Sequence, residues 1–169
     1  IWSNIMLYKT ETISIRYFRD VMYHKTDCQP VGQRLQVKSK NNQKSVEIIE
    51  TLFMGFNIGT ITIMRLTGKF QPIPKFCWES IDGGHRKRAL WAYLNDEFMV
   101  HGKYFSQLSK QDQDKFLDIE IEFCIYDELD SATKGLIFRT LNKTTDVNFI
   151  EMVNSYGDIP IANFIRESV

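Results

Sequence analysis

Ile81-Asp82-Gly83-Gly84-His85-Arg86-Lys87-Arg88-Ala89-Leu90 sets two glycines and three cations where an apolar, strand-like run gives way to a helical pattern. A strand-to-helix junction of this composition suits a phosphate. Gly83 and Gly84 let the backbone turn sharply and come close to a ligand, and the amides that open a helix have no partner within it and point toward a bound anion. His85 adds a donor, and Arg86 can grip two phosphate oxygens at once. The plainer alternative is an ordinary turn leading into a helix whose basic face is only solvated.

Working outward, the residues after the turn predict a helix over about His85–Leu94 that buries Ala89, Leu90, Trp91 and Leu94 and leaves Lys87 and Arg88 outside. Upstream, Phe76–Ile81 and the β-branched Thr60–Met64 read as strands, with Pro72 and Pro74 in the loop between them. Ser45 is placed to cap a helix with Val46, Ile49, Leu52 and Phe53 on one stripe, and Gly55 to stop it. Nearer the N-terminus, Thr12–Ile15 reads as a short strand and Arg16–Tyr23 as an amphipathic helix with Tyr17, Phe18, Val21 and Met22 inward. Gln33–Val37 follows as an extended segment and Lys38–Lys44 as a loop. Downstream, Ser109 with Asp112 resembles a capping box. In Leu117–Tyr126 the residues Ile119, Ile121, Phe123 and Ile125 alternate with Glu120, Glu122 and Cys124, the pattern of a half-buried strand. Glu120 and Glu122 are metal ligands on one reading and a solvated face on the other. Ser131 opens a helix to Thr140, and Leu141–Val147 is a polar loop before a helical tail.

Strands and helices therefore mix without regular alternation, which predicts a single α+β domain with a small mixed sheet flanked by helices. At 169 residues with 43% hydrophobic content the chain can bury a real core. Its formal net charge of zero excludes a global basic field for nucleic acid, so any such contact must be local. Cys28, Cys77 and Cys124 lack CxxC spacing and read as buried reduced thiols, and His24, His85 and His101 lack the spacing of a zinc site. No apolar run approaches the roughly 20 residues that cross a bilayer, and the first residues lack a signal-peptide layout. These features point to a cytoplasmic setting without a membrane. The opening at Ile1 and the helix-like stop over Ile159–Val169 suggest a trimmed chain.

Three separated segments, in order, resemble one family. Gln33-Arg34, Asp82-Gly83-Gly84-His85-Arg86 and Phe138-Arg139-Thr140-Leu141-Asn142, with Val147 beyond, are similar to the motifs of the ParB/sulfiredoxin-like domain at the N-terminus of GmrSD-type modification-dependent restriction endonucleases. Between the first two, Ser45–Ile63 resembles the family's passage from helix through glycine and aromatic to strand, in Leu52-Phe53-Met54-Gly55-Phe56-Asn57-Ile58-Gly59. The likeness spans about Ile13 to Ser155. Gly84 departs from it, standing where the family usually has Gln, and where sulfiredoxins have the catalytic cysteine of their Gly-Cys-His-Arg loop. Sulfiredoxin activity is therefore not expected. The family's C-terminal helical region and its fused His-Asn-His nuclease domain have no counterpart in these residues.

The resemblance implies a phosphate or nucleotide site of Gln33, Arg34, Gly83, Gly84, Arg86 and Asn142, with Asp82, His85 and Arg86 as catalytic residues. Asp82 would be the ligand of a Mg²⁺ that keeps most of its waters, and His85 a general acid able to switch near neutrality. Alternatively, Asp82 only caps its own turn, and Gln33, Arg34 and Asn142 satisfy backbone groups. Two classes of function remain: metal-dependent NTP hydrolysis or DNA phosphodiester cleavage in phage defence or phage-encoded DNA metabolism, or a non-catalytic module that binds DNA or senses modified DNA for a separate nuclease domain. For the second, Trp78, Trp91, Tyr93 and Tyr104 are candidate stacking residues, although Trp91 sits at core spacing. A CTP-dependent clamp, the third ParB-like role, lacks a helix-turn-helix and a dimerisation segment. On charge alone, Arg86→Ala should remove phosphate binding and leave the fold intact.

Overall fold

In the computed structural model, which describes residues 8–27, 42–70 and 74–142, the alternating run forms the middle of a sheet. Strand β5 (Glu120–Tyr126) buries Ile121, Phe123 and Ile125 and turns Glu120, Glu122 and Cys124 to its less buried face. On one side it pairs antiparallel with β1 (Tyr8–Ser14), Ile13 opposite Ile121, and on the other parallel with β3 (Ile61–Arg65), Ile61 opposite Phe123. Next to β3 lies antiparallel β4 (Trp78–Asp82), which pairs parallel with the two residues of β2 (Thr26–Asp27). The result is a five-stranded mixed sheet in the order β1-β5-β3-β4-β2, so the α+β expectation holds.

Helices fill the connections. Short α1 (Ile15–Tyr17) continues through a π turn, Phe18–Met22, and a 3-10 turn, Tyr23–Lys25. It is followed by α2 (Gln43–Phe53), α3 (Gly84–Leu94), α4 (Lys110–Leu117) and α5 (Ser131–Leu141). The main core joins Ile13, Phe18, Ile49, Leu52, Ile61, Ile63, Leu90, Tyr93, Phe116 and Phe123, whereas α5 contributes Ile137 to a second cluster with Met64 and Ile81. Two core clusters that both draw on β3 put helices on both faces of the sheet.

Several boundaries differ from the sequence reading. The first strand is longer than Thr12–Ile15, because pairing with β5 holds polar Tyr8–Thr12 extended. Helix α2 starts at Gln43, with Asn42 at its N-cap, so Ser45 lies inside the first turn. Its other end follows expectation: Gly55 at φ +76° and the bonds Gly55 N to Leu52 O and Phe56 N to Thr51 O close it with a Schellman turn. Leu117 ends α4 instead of opening β5, and Ser109 caps that helix through Asp112 N. Tyr17 and Phe53 are exposed, since the π turn and the Schellman end carry them off the buried stripe. Cys77 is exposed and Cys124 half-buried, because neither faces the main core. The Gln33–Val37 segment, Cys28, Pro72, Val147 and the helical tail lie outside the described residues. Among the described residues, no helix is long and apolar enough to cross a membrane.

The helix over 84–94 buries a different set from the one its periodicity suggests. Lys87 is fully buried, its Nζ donating to Ser80 Oγ at 2.5 Å, and Tyr93 is fully buried, whereas Trp91 is only half-buried and stacks on Tyr23 at 4.0 Å. The cause is crowding: α3 packs on α2 on one side and meets the sheet on the other, through β3 and through the Lys87 bond to Ser80 of β4, so a second face is covered. Tyr93, a candidate stacking residue, is thereby enclosed by Phe53, Phe98, Phe105 and Phe116.

Two buried polar groups set testable terms in stability. The Tyr93 hydroxyl finds no hydrogen-bond partner among the described residues, and burial, helped by Asp96, pushes its pKa up to about 12. An unsatisfied buried hydroxyl is destabilising, so Tyr93→Phe should raise unfolding free energy by about 1 kcal/mol in urea titration. The Glu128 carboxylate, also buried, accepts from Thr67 Oγ1 at 2.7 Å and from the amides of Thr67, Lys69 and Phe70. Burial alone would raise its pKa, but those four donors together hold it below the ordinary 4.5. Its stabilising contribution is therefore complete above that ordinary value and lost as pH falls through the lowered one. Glu128→Gln should cost about 2 kcal/mol at pH 7, with the gap to wild type closing in acid.

Candidate functional site

The turn at the end of β4 is shaped by Gly83. Its φ of +81° is left-handed, and a Cβ there would meet Ile61 Cγ1 at 3.1 Å and Ile61 Cα at 3.3 Å, so both conformation and space exclude a side chain. Lys87 N takes the Gly83 carbonyl, and α3 proceeds from Gly84 with no side-chain cap and no acidic residue in its first turn. The first amides of the helix are left to face outward. Asp82 does not cap the turn: its carboxylate is 4.0 Å from Arg86 Nη2, an ion pair without a hydrogen bond.

Beside α3 lies α2 in the same direction. Lys44, in the first turn of α2, acts electrostatically on His85 in the first turn of α3, while Phe53 near the end of α2 packs on Tyr93 near the end of α3 with ring centroids 6.1 Å apart. Two helix starts therefore meet, each carrying about half a positive charge from its dipole. Neither has an acidic residue in its first turn, and both have cations there. Cations at a helix start are unfavourable, and here Lys44, His85, Arg86 and nearby Arg88 concentrate them. His85, exposed on α3, is held below its ordinary pKa of 6.5, first by partial loss of hydration and then by Arg88, Lys44 and Arg86. It is neutral at pH 7, with its protonated form available to any anion that offsets those neighbours.

Arg86 points inward. Its Nη1 donates to Thr60 O at 2.6 Å, and the guanidinium lies on Gly59, whose hypothetical Cβ would stand 3.5 Å from Nη1. Gly59 has φ +89° and its amide bonds to Asn57 Oδ1 at 2.7 Å, while the Thr60 hydroxyl is hydrogen-bonded to Glu122. A polar row, Asp82, Arg86, Thr60, Glu122, thus crosses the N-terminal ends of β3 and β5. Glu122 spends one oxygen on Thr60, so the metal-ligand reading of the Glu120/Glu122 pair gains no converging partner, and no group of three or more His, Cys, Asp or Glu side chains converges among the described residues. Gly84 faces Arg88, with Nη1 3.3 Å and Nη2 3.4 Å from where its Cβ would be. The space beside position 84 is taken up by a guanidinium.

The structure thus brings Asp82, Gly83, Gly84, His85 and Arg86 together. Gln33 and Arg34 lie outside the described residues. Asn142 is at the C-cap of α5, where its Nδ2 donates to Phe138 O at 2.8 Å. Sequence reasoning missed Lys44, which reaches His85 only through the packing of α2 on α3, and the Gly59–Thr60 platform, whose one local signal is the Asn57-Ile58-Gly59 turn. Comparisons of the chain with protein-family models, curated proteins and solved structures found no match.

Arg86 consequently has a structural duty that its charge did not reveal. Arg86→Ala leaves the Thr60 carbonyl short of its donor and should lower unfolding free energy by about 2 kcal/mol in urea titration, where charge alone predicted an unchanged fold.

Proposed function

We propose that this chain binds the phosphates of a nucleoside triphosphate at the joint start of α2 and α3, and that it hydrolyses the bound nucleotide with a divalent cation. The observation that carries this reading is the meeting of two helix starts, neither with an acidic residue in its first turn, among Lys44, His85, Arg86 and Arg88. Outward amides of Gly84 and His85 would take phosphate oxygens, and the Arg86 guanidinium, fixed on Thr60, would offer its remaining N–H groups from a set position. The resemblance of Asp82–Arg86 to the ParB/sulfiredoxin-like motif supports the same ligand, and we assign the α+β fold to that type. Asp82 suits a Mg²⁺, since its carboxylate is partly exposed and accepts no hydrogen bond among the described residues. The ion would neutralise phosphate charge while waters and phosphate oxygens complete its shell.

One observation favours a second reading. Position 84 is a glycine with the Arg88 guanidinium lying over it, so it brings no side-chain amide to order an attacking water or read a base. A non-catalytic module that holds a DNA backbone phosphate at this place would need only the amides and cations.

Titration calorimetry with ATP, GTP and CTP, each with Mg²⁺ or with EDTA, distinguishes the readings. The first expects binding of at least one nucleotide and Mg²⁺-dependent release of phosphate. The exposed substitutions Lys44→Ala and His85→Ala should each weaken binding about tenfold without changing the thermal melt. Because the bound anion favours imidazolium, affinity should rise as pH falls through His85's depressed pKa, with proton uptake, and this slope should vanish in His85→Ala. Absence of binding by all three nucleotides would overturn the triphosphate reading, and salt-dependent binding of a short DNA duplex would then support the second.

A further inference from the structure

One edge of the sheet is open. β1 pairs with β5 along all seven of its residues without a bulge, and among the described residues no strand lies beyond it. Such an edge offers backbone N–H and C=O groups to any extended chain that can align with them. The phase of the ladder tells which residues offer them. The bond from Ile15 N to Ile119 O, at 2.9 Å, continues the register in which Ile13 opposes Ile121. Odd-numbered residues of β1 therefore turn their backbone groups toward β5, and Tyr8, Thr10 and Thr12 turn theirs away from it. The same three residues are exposed, and none has a further hydrogen bond among the described residues.

Side chains alternate along this edge. Lys9 stands opposite Ile125 and Glu11 opposite Phe123, so both charges lie on the face of the sheet that carries the main core, beside Ile13 in the outermost row. Lys9 is exposed and Glu11 half-buried, and neither has an ion-pair partner among the described residues. Charges set this way on an edge strand keep off any strand that cannot answer them. β1 can answer its own.

We propose that β1 pairs antiparallel with β1 of a second copy of this chain, about a two-fold axis through Thr10, so that the two sheets become one. In this register Thr10 exchanges backbone hydrogen bonds with Thr10 of the second copy, and Tyr8 with its Thr12. Lys9 then stands directly opposite Glu11 of the second copy, and Glu11 opposite its Lys9, in the pairs without backbone bonds, where side chains come closest. An axis perpendicular to the sheet keeps the two core faces on one side, so the opposed charges share a face. Charge also fixes the register. Moving the axis to residue 9 would set Lys9 against Lys9, and moving it to residue 11 would set Glu11 against Glu11, each a like-charge pair that destabilises the ladder. The contact uses the same strand on both copies and closes on itself, so assembly stops at the dimer.

Sedimentation velocity over a range of protein concentrations tests this, using wild type, Thr10→Pro, Lys9→Glu and Glu11→Lys, with circular dichroism melts to confirm that each variant folds. Wild type should pass from monomer to dimer as concentration rises and form nothing larger. Thr10→Pro removes an N–H that points away from β5, so it spares the chain's own ladder and should leave the protein monomeric where wild type is dimeric. Lys9→Glu and Glu11→Lys each set like charges opposite one another and should each weaken self-association about tenfold. Mixed in equal amounts, these two variants should dimerise as wild type does, because the acidic edge of one then faces the basic edge of the other. The exchange Lys9→Glu with Glu11→Lys in one chain should likewise restore the dimer. If Thr10→Pro fails to fold, the charge variants decide the matter alone. A wild type that stays monomeric at every concentration, a folded Thr10→Pro that dimerises like wild type, or charge variants whose mixture associates no better than either alone would overturn the proposal.

Discussion

The parallel pairing of β3 with β5 is the contact on which the rest of the molecule depends. Ile61 stands beside Phe123 and Ile63 beside Ile125 at its centre, and all four side chains are buried. Every other strand is added outward from this pair, β1 through β5 and β4 through β3. Parallel strands need a long crossover between them, and the residues from 66 to 119 supply it with β4, α3 and α4. That crossover sets the position of the candidate site. Gly83 must pass within van der Waals contact of Ile61, so the start of α3 is pinned to the start of the central pair.

The polar row above this contact has a structural and a chemical side. Arg86 joins the first turn of α3 to the Thr60 carbonyl, and the Thr60 hydroxyl continues to Glu122 on β5. The row therefore ties three elements across the sheet's N-terminal end, and a phosphate bound at α3 would rest on a rigid support. Lys87 performs the corresponding service one turn later, reaching Ser80 on β4 from inside the protein. Basic residues of a single run, 85 to 88, are thus divided among an exposed imidazole, an anchored guanidinium, a buried ammonium and a guanidinium lying over Gly84.

That division explains which parts of the fold were legible in the sequence. Strand β5 was readable because one face is buried and the other is not, so the period of two survives in Ile121, Phe123 and Ile125. Gly83 was readable because its conformation is local. The buried side of α3 was misread because two layers cover the helix, and Lys87 and Tyr93 obey contacts with β4 and with an aromatic cluster that no periodicity encodes. The full length of β1 and the α2 start before Ser45 were hidden for the same reason, since pairing and packing extend segments whose own residues are polar. Of the candidate site, the contiguous Asp82–Arg86 run was legible, while Lys44 and Thr60 enter it only through tertiary structure.

Gly84 and Arg88 share one volume. The guanidinium of residue 88 lies 3.3 Å from the point where residue 84 would carry its first side-chain atom, so the two positions are coupled. A side chain placed at 84 would press on the far end of the Arg88 side chain, which has to give by a few tenths of an ångström. Shortening the side chain at 88 instead leaves the helix start with a cation fewer and room to fill.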